Sequence, residues 1–345
     1  MKLNRITFHS RIVLCLGAAL LCMLRIATAA EPVKIVVAVP GPGSAAYFPI
    51  EMISRIGADK AEGAEVVLKF VPGGGVALEQ MLTNNVDFAV VGLPAAMSAR
   101  LKDPRVVSIA AVNDLPLYVL LVRQGLKGKV TKIADLKGKT IGVHSNSVAS
   151  KTNSHQLLEL VLARNGVTPD MVRTVAVGQR WESESSMLQS GDADAIMGDE
   201  PYATRMMQDK IAYPLLHLGD PAQAKSVPGG GFLRGAVIAR TDMLDKNPQK
   251  VELFTRVVRR TLAWLASHSP EETINAAGLS GKPEGDFFLQ TLKKFPRQYS
   301  KDGKFSTQQL KETETFFHES QRANAAATAL KVESMIVDRW AGRKD

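Results

Sequence analysis

Six short segments of this chain gather the residue types that could hold a small molecule: Pro40 to Ser44, Gly73 to Gly75, Gly92 to Pro94, His144 to Ser150, Gly178 to Trp181 and Gly198 to Pro201. Each follows a run that reads as a β-strand, and most open a helix. Glycine lets backbone approach a ligand closely. The free N–H groups of a helix start suit carboxylate, sulfonate, nitrate or phosphate oxygens. Arg180 and Trp181 are the most suggestive pair. A guanidinium binds oxyanions through two parallel hydrogen bonds, and an indole covers an apolar or aromatic body. That chemistry is capture rather than turnover.

Catalytic and cofactor motifs fail on spacing. Gly138-Lys139-Thr140 ends like a phosphate-binding loop, but Ile133 stands where its first glycine belongs, and the segment precedes a strand. Gly73-Gly74-Gly75 lacks the third glycine of a dinucleotide fingerprint, the position being Leu78. The histidines never take the spacing of a zinc protease, and no nucleophile elbow is present. Asp192, Asp194, Asp199 and Glu200 cluster without the spacing of a calcium loop and read as turn acids around a strand. Lys34 and Lys69 lie in apolar runs and read as strand lysines with solvated ends. An enzyme would draw its acid and base from His144, His155 and Glu200, which are far apart in sequence. No cofactor and no metal are implied.

The elements that must position these loops alternate. Strands are expected at Val33 to Val39, Val66 to Val71, Val86 to Val91, Val106 to Val112, Leu117 to Val122, Thr140 to Val143, Arg173 to Val177, Ala193 to Met197, Leu215 to Leu218 and Ala236 to Arg240. Helices are expected at Ala45 to Ala58, Val76 to Asn84, Ser154 to Arg164, Glu182 to Gln189 and Pro201 to Gln208. Gly166 is expected as a left-handed cap. A helical tail follows over Asn247 to His268, Glu284 to Lys294, Thr307 to His318 and Val332 to Trp340. Strand, helix, strand implies parallel sheets with right-handed crossovers. The chain therefore reads as two α/β units of about 100 residues each. In such sheets ligands bind beyond the carboxyl ends of the strands.

Composition sets the setting. Both cysteines, Cys15 and Cys22, fall within the first 30 residues. There Lys2, Arg5 and Arg11 precede the apolar run Ile12 to Met23, and Ala27-Thr28-Ala29 offers a cut before Ala30. That is the layout of a secretory signal peptide, and the apolar run is too short to span a bilayer. Cys22 follows Leu20-Leu21, which does not suit lipidation. The part after the cut holds no thiol and no disulfide. The first 29 residues contain four of the 43 basic side chains and no acid, leaving 39 basic against 34 acidic. A mild, dispersed excess with 6% aromatic residues is not a nucleic-acid interface.

Three segments carry a family resemblance. "ADLKGKTIGV" (Ala134 to Val143), "LVLARNGVTPDMVRTVAVG" (Leu160 to Gly178) and "MLQSGDADAIMGDEPYATRM" (Met187 to Met206) closely resemble the second lobe of type II periplasmic binding proteins, in the nitrate/sulfonate/taurine branch of ABC-transporter solute-binding proteins. "ALEQMLTNNVDFAVVG" (Ala77 to Gly92) resembles an element of that family's first lobe. Thiamine-pyrimidine synthases share the fold but carry a cysteine-rich motif, absent here after Cys22.

The resemblance implies a monomer of two α/β lobes that close on a solute by hinge motion, with a helical C-terminal tail. Residues 1–29 would be the signal peptide, 30–115 the first part of lobe one, 116–230 lobe two, and 231–345 the return to lobe one with the C-terminal helices. The crossings fall near Ala111 to Arg123 and Gly219 to Gly235. It implies a non-catalytic periplasmic receptor that delivers a small organic solute, anionic, sulfonate- or carboxylate-like, with aromatic solutes included, to an inner-membrane ABC permease. An enzyme of the thiamine-pyrimidine kind, or a receptor for a membrane sensor, remains open.

For the site, Ser44, Ala45 and Tyr47 match the family's first ligand loop, and Glu200-Pro201 matches its acid-proline pair. Gly74 and Gly75 would offer N–H groups, and Leu93 and Pro94 an apolar wall. Asn113 and Asp114 lie at the hinge, while Asn146, Ser147 and Ser150 start the lobe-two helix. Arg180, Trp181 and Tyr202 complete the set. The first loop, Gly41 to Ala46, lacks the larger polar residues many relatives show, which leaves room for a bulkier ligand.

Overall fold

The computed structural model describes residues 31–345, so the expected signal peptide and both cysteines lie outside the described residues. Val33–Asp345 forms one compact unit built on two five-stranded sheets.

The first sheet contains β1 (Val33–Pro40), β2 (Ala64–Val71), β3 (Phe88–Val91), β4 (Val106–Ala111) and β10 (Ala236–Arg240), in the order β2-β1-β3-β10-β4. The second contains β5 (Tyr118–Arg123), β6 (Thr140–His144), β7 (Arg173–Val177), β8 (Ala195–Asp199) and β9 (Ala212–His217), in the order β7-β6-β8-β5-β9. The chain crosses between sheets after β4 and returns after β9. Val106–Ala111 and Tyr118–Arg123, close neighbours in sequence, therefore belong to different sheets.

Strand direction follows from that path. β1 runs parallel to β2 and β3, and β6 parallel to β7 and β8. The arriving strands differ: β10 is antiparallel to β3 and β4, and β5 is antiparallel to β8 and β9. A strand entering from the edge where its neighbours end must run against them. The expectation of purely parallel sheets is corrected on this point.

Helices α1 (Phe48–Arg55), α2 (Gly74–Leu82) and α3 (Leu93–Arg100) serve the first sheet, and α4 (Asn153–Arg164), α5 (Trp181–Ser190) and α6 (Tyr202–Gln208) the second. The tail contributes α7 (Pro248–Ser267), α8 (Pro283–Lys294) and α9 (Thr307–Ser320). Gly166 is left-handed as expected, at φ 69°. The helix expected over Val332 to Trp340 is only a short turn, Val332–Met335. Ile336 instead bridges Ser108 on the β4 edge, and Val337 N–H donates to Ser108 O at 2.9 Å. Unpaired edge backbone captured the segment. β9 begins earlier than the expected Leu215 because Pro214 is tolerated on an edge strand, at a register shift opposite Leu121.

Each sheet is packed on both faces. In the first, Ile35, Val37, Phe88 and Val90 meet Phe254, Val257 and Leu262 of α7, while Ala38, Val91 and Ile238 meet Leu78, Met97 and Phe317. In the second, Leu120, Val143 and Met197 pack on Leu158, Val161 and Phe316. Consecutive phenylalanines of α9 thus enter two cores, which pins that helix across the junction of the halves. No helix among the described residues is long and apolar enough to cross a membrane.

Phe254 is fully buried and stacks on Phe88 at 4.7 Å. Phe254→Ala is expected to lower unfolding free energy by about 3–5 kcal/mol, read as a reduced urea midpoint with unchanged far-ultraviolet circular dichroism.

Candidate functional site

The loops following the parallel strands of the two sheets meet face to face. Ala45 N–H donates to Glu200 O at 3.0 Å, and Gln179 N–H to Pro72 O at 3.2 Å. Ser147 Oγ donates to Gly75 O at 2.8 Å, Ser150 Oγ to Ala95 O at 2.6 Å, and Ala95 N–H to Asn153 Oδ1 at 2.9 Å. Ala45 and Gln179, in loops expected to offer free amides, therefore spend theirs across the seam. The approach is tight enough to require glycine: a Cβ on Gly73 would lie 2.2 Å from Ser145 O, and one on Gly75 2.6 Å from Ser150 O.

At the centre of the seam lies Arg234, 2% exposed, just before β10. Its guanidinium donates to Asp199 Oδ2 and to the Tyr47 hydroxyl, each at 2.7 Å. It also stands 4.3 Å from the Tyr118 ring centroid. Asp199 Oδ2 further accepts from Ser44 Oγ at 2.9 Å and Gln179 Nε2 at 2.8 Å. Burial works against the arginine charge, but the Tyr118, Tyr47 and Asp199 oxygens outweigh it and raise its pKa. Burial likewise raises the Tyr47 hydroxyl, against the pull of Arg234. Beside this group a cavity of about 10 Å³, lined by Asn113, Asp199, Arg234 and Gln298, has the size of a single water molecule.

Below Asp199, His144 Nε2 lies 3.2 Å from Glu184 Oε1, and both side chains are buried. Desolvation is the main reason the Glu184 carboxyl is held above its usual range.

A larger pocket of about 300 Å³ opens at the mouth of the seam. The first loop (Pro42, Gly43), α1 (Glu51, Arg55), the start of α5 (Arg180, Trp181), α6 (Tyr202, Arg205) and α8 (Phe287, Phe288) line it. The Arg205 guanidinium stacks 3.8 Å over the Trp181 ring and 5.4 Å from that of Phe287. Desolvation pushes Glu51 up to about 7, opposed by the Gly43 N–H and by Arg55. Three guanidiniums face three carboxylates, since Glu182 and Glu284 also line the wall. With Glu51 partly protonated near neutrality, the balance leans positive. Volume, aromatic walls and a few charged groups are the features of a small-molecule site.

The structure gathers the expected residues unevenly. Ser44 and Tyr47 join the Arg234 network, while Ala45 bonds through its backbone N–H to Glu200 O across the seam. Arg180, Trp181 and Tyr202 line the pocket, Arg180 as an exposed side chain. Gly74 packs on Val91 and Leu93 is in the core of the first half, while Pro94 O accepts from Gln156 Nε2. Asn113 faces the small cavity. Asp114 turns instead to Lys344, 3.1 Å away, on a separate groove of about 700 Å³. Asn146 is exposed and bonds locally to Thr152 and His155. The Glu200 carboxylate is held by His217 at 3.0 Å and by Thr204.

Among the acids read as turn residues, Asp194 holds Arg123 and Thr140 N–H at the foot of the second sheet, but Asp199 belongs to the buried seam. Sequence reading also missed Gln179, Arg234, Glu51, Arg205 and Phe287. Arg234 had a signal: a lone arginine between the Gly229–Gly231 run and an apolar strand, on the returning crossover. Glu51, Arg205 and Phe287 lie inside helices, beyond a search of strand-end loops.

Two α/β halves, two crossing segments and a seam of ligand-sized polar surface define a periplasmic-binding-protein fold. The chain belongs to the NMT1/THI5-like family, whose model matches residues 60–273. YtlA of Bacillus subtilis (strain 168) is 22% identical over 67% of this chain and 66% of its own length, so the chain spans just under two thirds of that relative. A solved protein of Bordetella bronchiseptica RB50 superposes with a TM-score of 0.80 at 20% identity, over 90% of this chain and 96% of that one. The alkanesulfonate-binding protein SsuA of Xanthomonas axonopodis pv. citri, bound to MOPS, superposes at 0.69 with 16% identity, over 90% and 99%.

Two outcomes follow. Asp199→Ala strands Arg234 as a buried, uncompensated charge and should cost about 3–5 kcal/mol in denaturant unfolding, with part of the loss recovered by adding Arg234→Met. A carboxylate with a raised folded pKa binds a proton on folding, so its contribution to stability is lost as pH rises. The thermal midpoint should therefore fall between about pH 5 and pH 8, and Glu51→Gln should flatten that fall.

Proposed function

We propose that this chain is the solute-binding component of an ABC importer, working in the periplasm as a monomer with an inner-membrane permease. The solute is a small organic acid, sulfonate- or carboxylate-like, with a flat apolar body. The observation that carries the reading is the 300 Å³ pocket between the two halves, where Arg180 and Arg205 stand beside Trp181, Tyr202 and Phe287. A planar group would slide along the indole and phenyl faces, and its acidic head would meet the guanidiniums. The Arg234 network ties the halves once they close, so solute binding and closure reinforce each other.

Family membership and the alkanesulfonate-binding neighbour support this reading. So does a pocket built for reversible contact, with rings and charged side chains rather than a paired nucleophile and base. Thermal melts against a panel of aliphatic and aromatic sulfonates, carboxylates and amines test it. At least one acid is expected to raise the midpoint in a concentration-dependent manner. Trp181→Ala should weaken that acid's affinity at least about tenfold. A panel in which amines alone stabilise the protein would exclude the acidic class, and unchanged affinity in Trp181→Ala would move the site elsewhere.

A further inference from the structure

The floor of the second half holds a set of groups that closure of the seam does not explain. His144 ends β6, Glu184 lies in the first turn of α5, and Asp199 ends β8. One ligand-type atom from each lies within 4.8 Å of the other two, and all three side chains are buried. Two of their oxygens, Glu184 Oε2 and Asp199 Oδ1, are buried with no hydrogen-bond partner. Leaving a buried carboxylate oxygen unpaired is costly, and such a pair beside an imidazole calls for a shared cation.

We propose that His144, Glu184 and Asp199 bind a divalent first-row transition-metal ion such as Zn²⁺. One imidazole nitrogen and two carboxylate oxygens are suitable donors for such an ion. With bonds of about 2.0–2.2 Å, donors around a tetrahedral ion stand roughly 3.3 Å apart, so small side-chain rotations bring these three together. The surroundings serve the set. Arg234 and Gln179 fix the other Asp199 oxygen at 2.7 and 2.8 Å, and the His144 backbone N–H donates to Ser154 Oγ at 3.0 Å, which holds the end of β6 in place. Gly198 keeps the approach to Glu184 clear, since a Cβ there would lie 2.9 Å from Oε2. Two buried carboxylates stand here beside one guanidinium, Arg234, which bonds only Asp199 of the pair. All three donors come from the second half, so the site is preformed and becomes accessible when the seam opens. The site stands independently of the proposed solute.

The test uses untagged protein stripped with a chelator, titrated calorimetrically with ZnCl₂, with the zinc content measured by atomic emission after dialysis. A single saturable site per chain is expected. Glu184→Gln and His144→Gln should each weaken it at least about tenfold, while His155→Gln, outside the cluster, should leave it intact. Melts of each metal-free variant confirm folding, and X-ray absorption of the loaded wild type should show one imidazole among nitrogen and oxygen donors only. Absence of a stoichiometric site, full zinc uptake by Glu184→Gln or His144→Gln, or a spectrum with two or more imidazoles would overturn the assignment.

Discussion

The arrangement rests on a charge shut off from bulk solvent. Arg234 is sealed between the halves, and its charge is tolerable only because Asp199 from the second sheet and Tyr47 from the first loop face it together. A buried ion pair of this kind is weak evidence for stability, because desolvation offsets the attraction. Its effect is on geometry. The pair is complete only when the C-terminal end of β8, the returning crossover and the start of α1 stand in one register. The cross-seam bonds of Ser147, Ser150 and Asn153 take up the same register on the far side.

That constraint has a mechanical consequence. Separating the halves breaks hydrogen bonds of polar groups that water can then solvate, so the seam resists opening less than an apolar core would. An apolar tie between the halves is α9, where Phe316 stacks on Phe232 at 4.3 Å and Phe317 lies in the opposite core. A polar seam beside an apolar pin gives the two sides of the junction unequal resistance to separation, because parting the pin would expose phenylalanine to water. The pocket at the mouth has walls from α1 and α8 on one side and from α5 and α6 on the other, so its volume depends on how far the seam has closed.

Much of this was legible in the sequence. Alternating β-branched runs and glycine-rich strand ends placed most strands within two residues, and the segments Ala134 to Val143 and Met187 to Met206 marked the second sheet. What was not legible was direction and destination. Nothing local says that Tyr118–Arg123 leaves the sheet of Val106–Ala111, or that β10 runs against β3, because those facts depend on where the chain re-enters. Site residues failed for a similar reason. Ser44, Tyr47, Trp181 and Tyr202 sit near strand ends and were found, whereas Glu51, Arg205 and Phe287 reach the pocket from helix faces that only tertiary packing aims. Glu200 drew notice through its proline, yet its neighbour Asp199 supplies the charge that holds Arg234.

The claim beneath all of this is that the seam between the halves opens and closes with the solute. Small-angle X-ray scattering of one preparation, before and after addition of a stabilising acid, tests it most directly. The account predicts a larger radius of gyration without the solute, and with it a profile that matches the structure described here. Superimposable profiles in the two conditions, at a solute concentration that saturates binding, would contradict it.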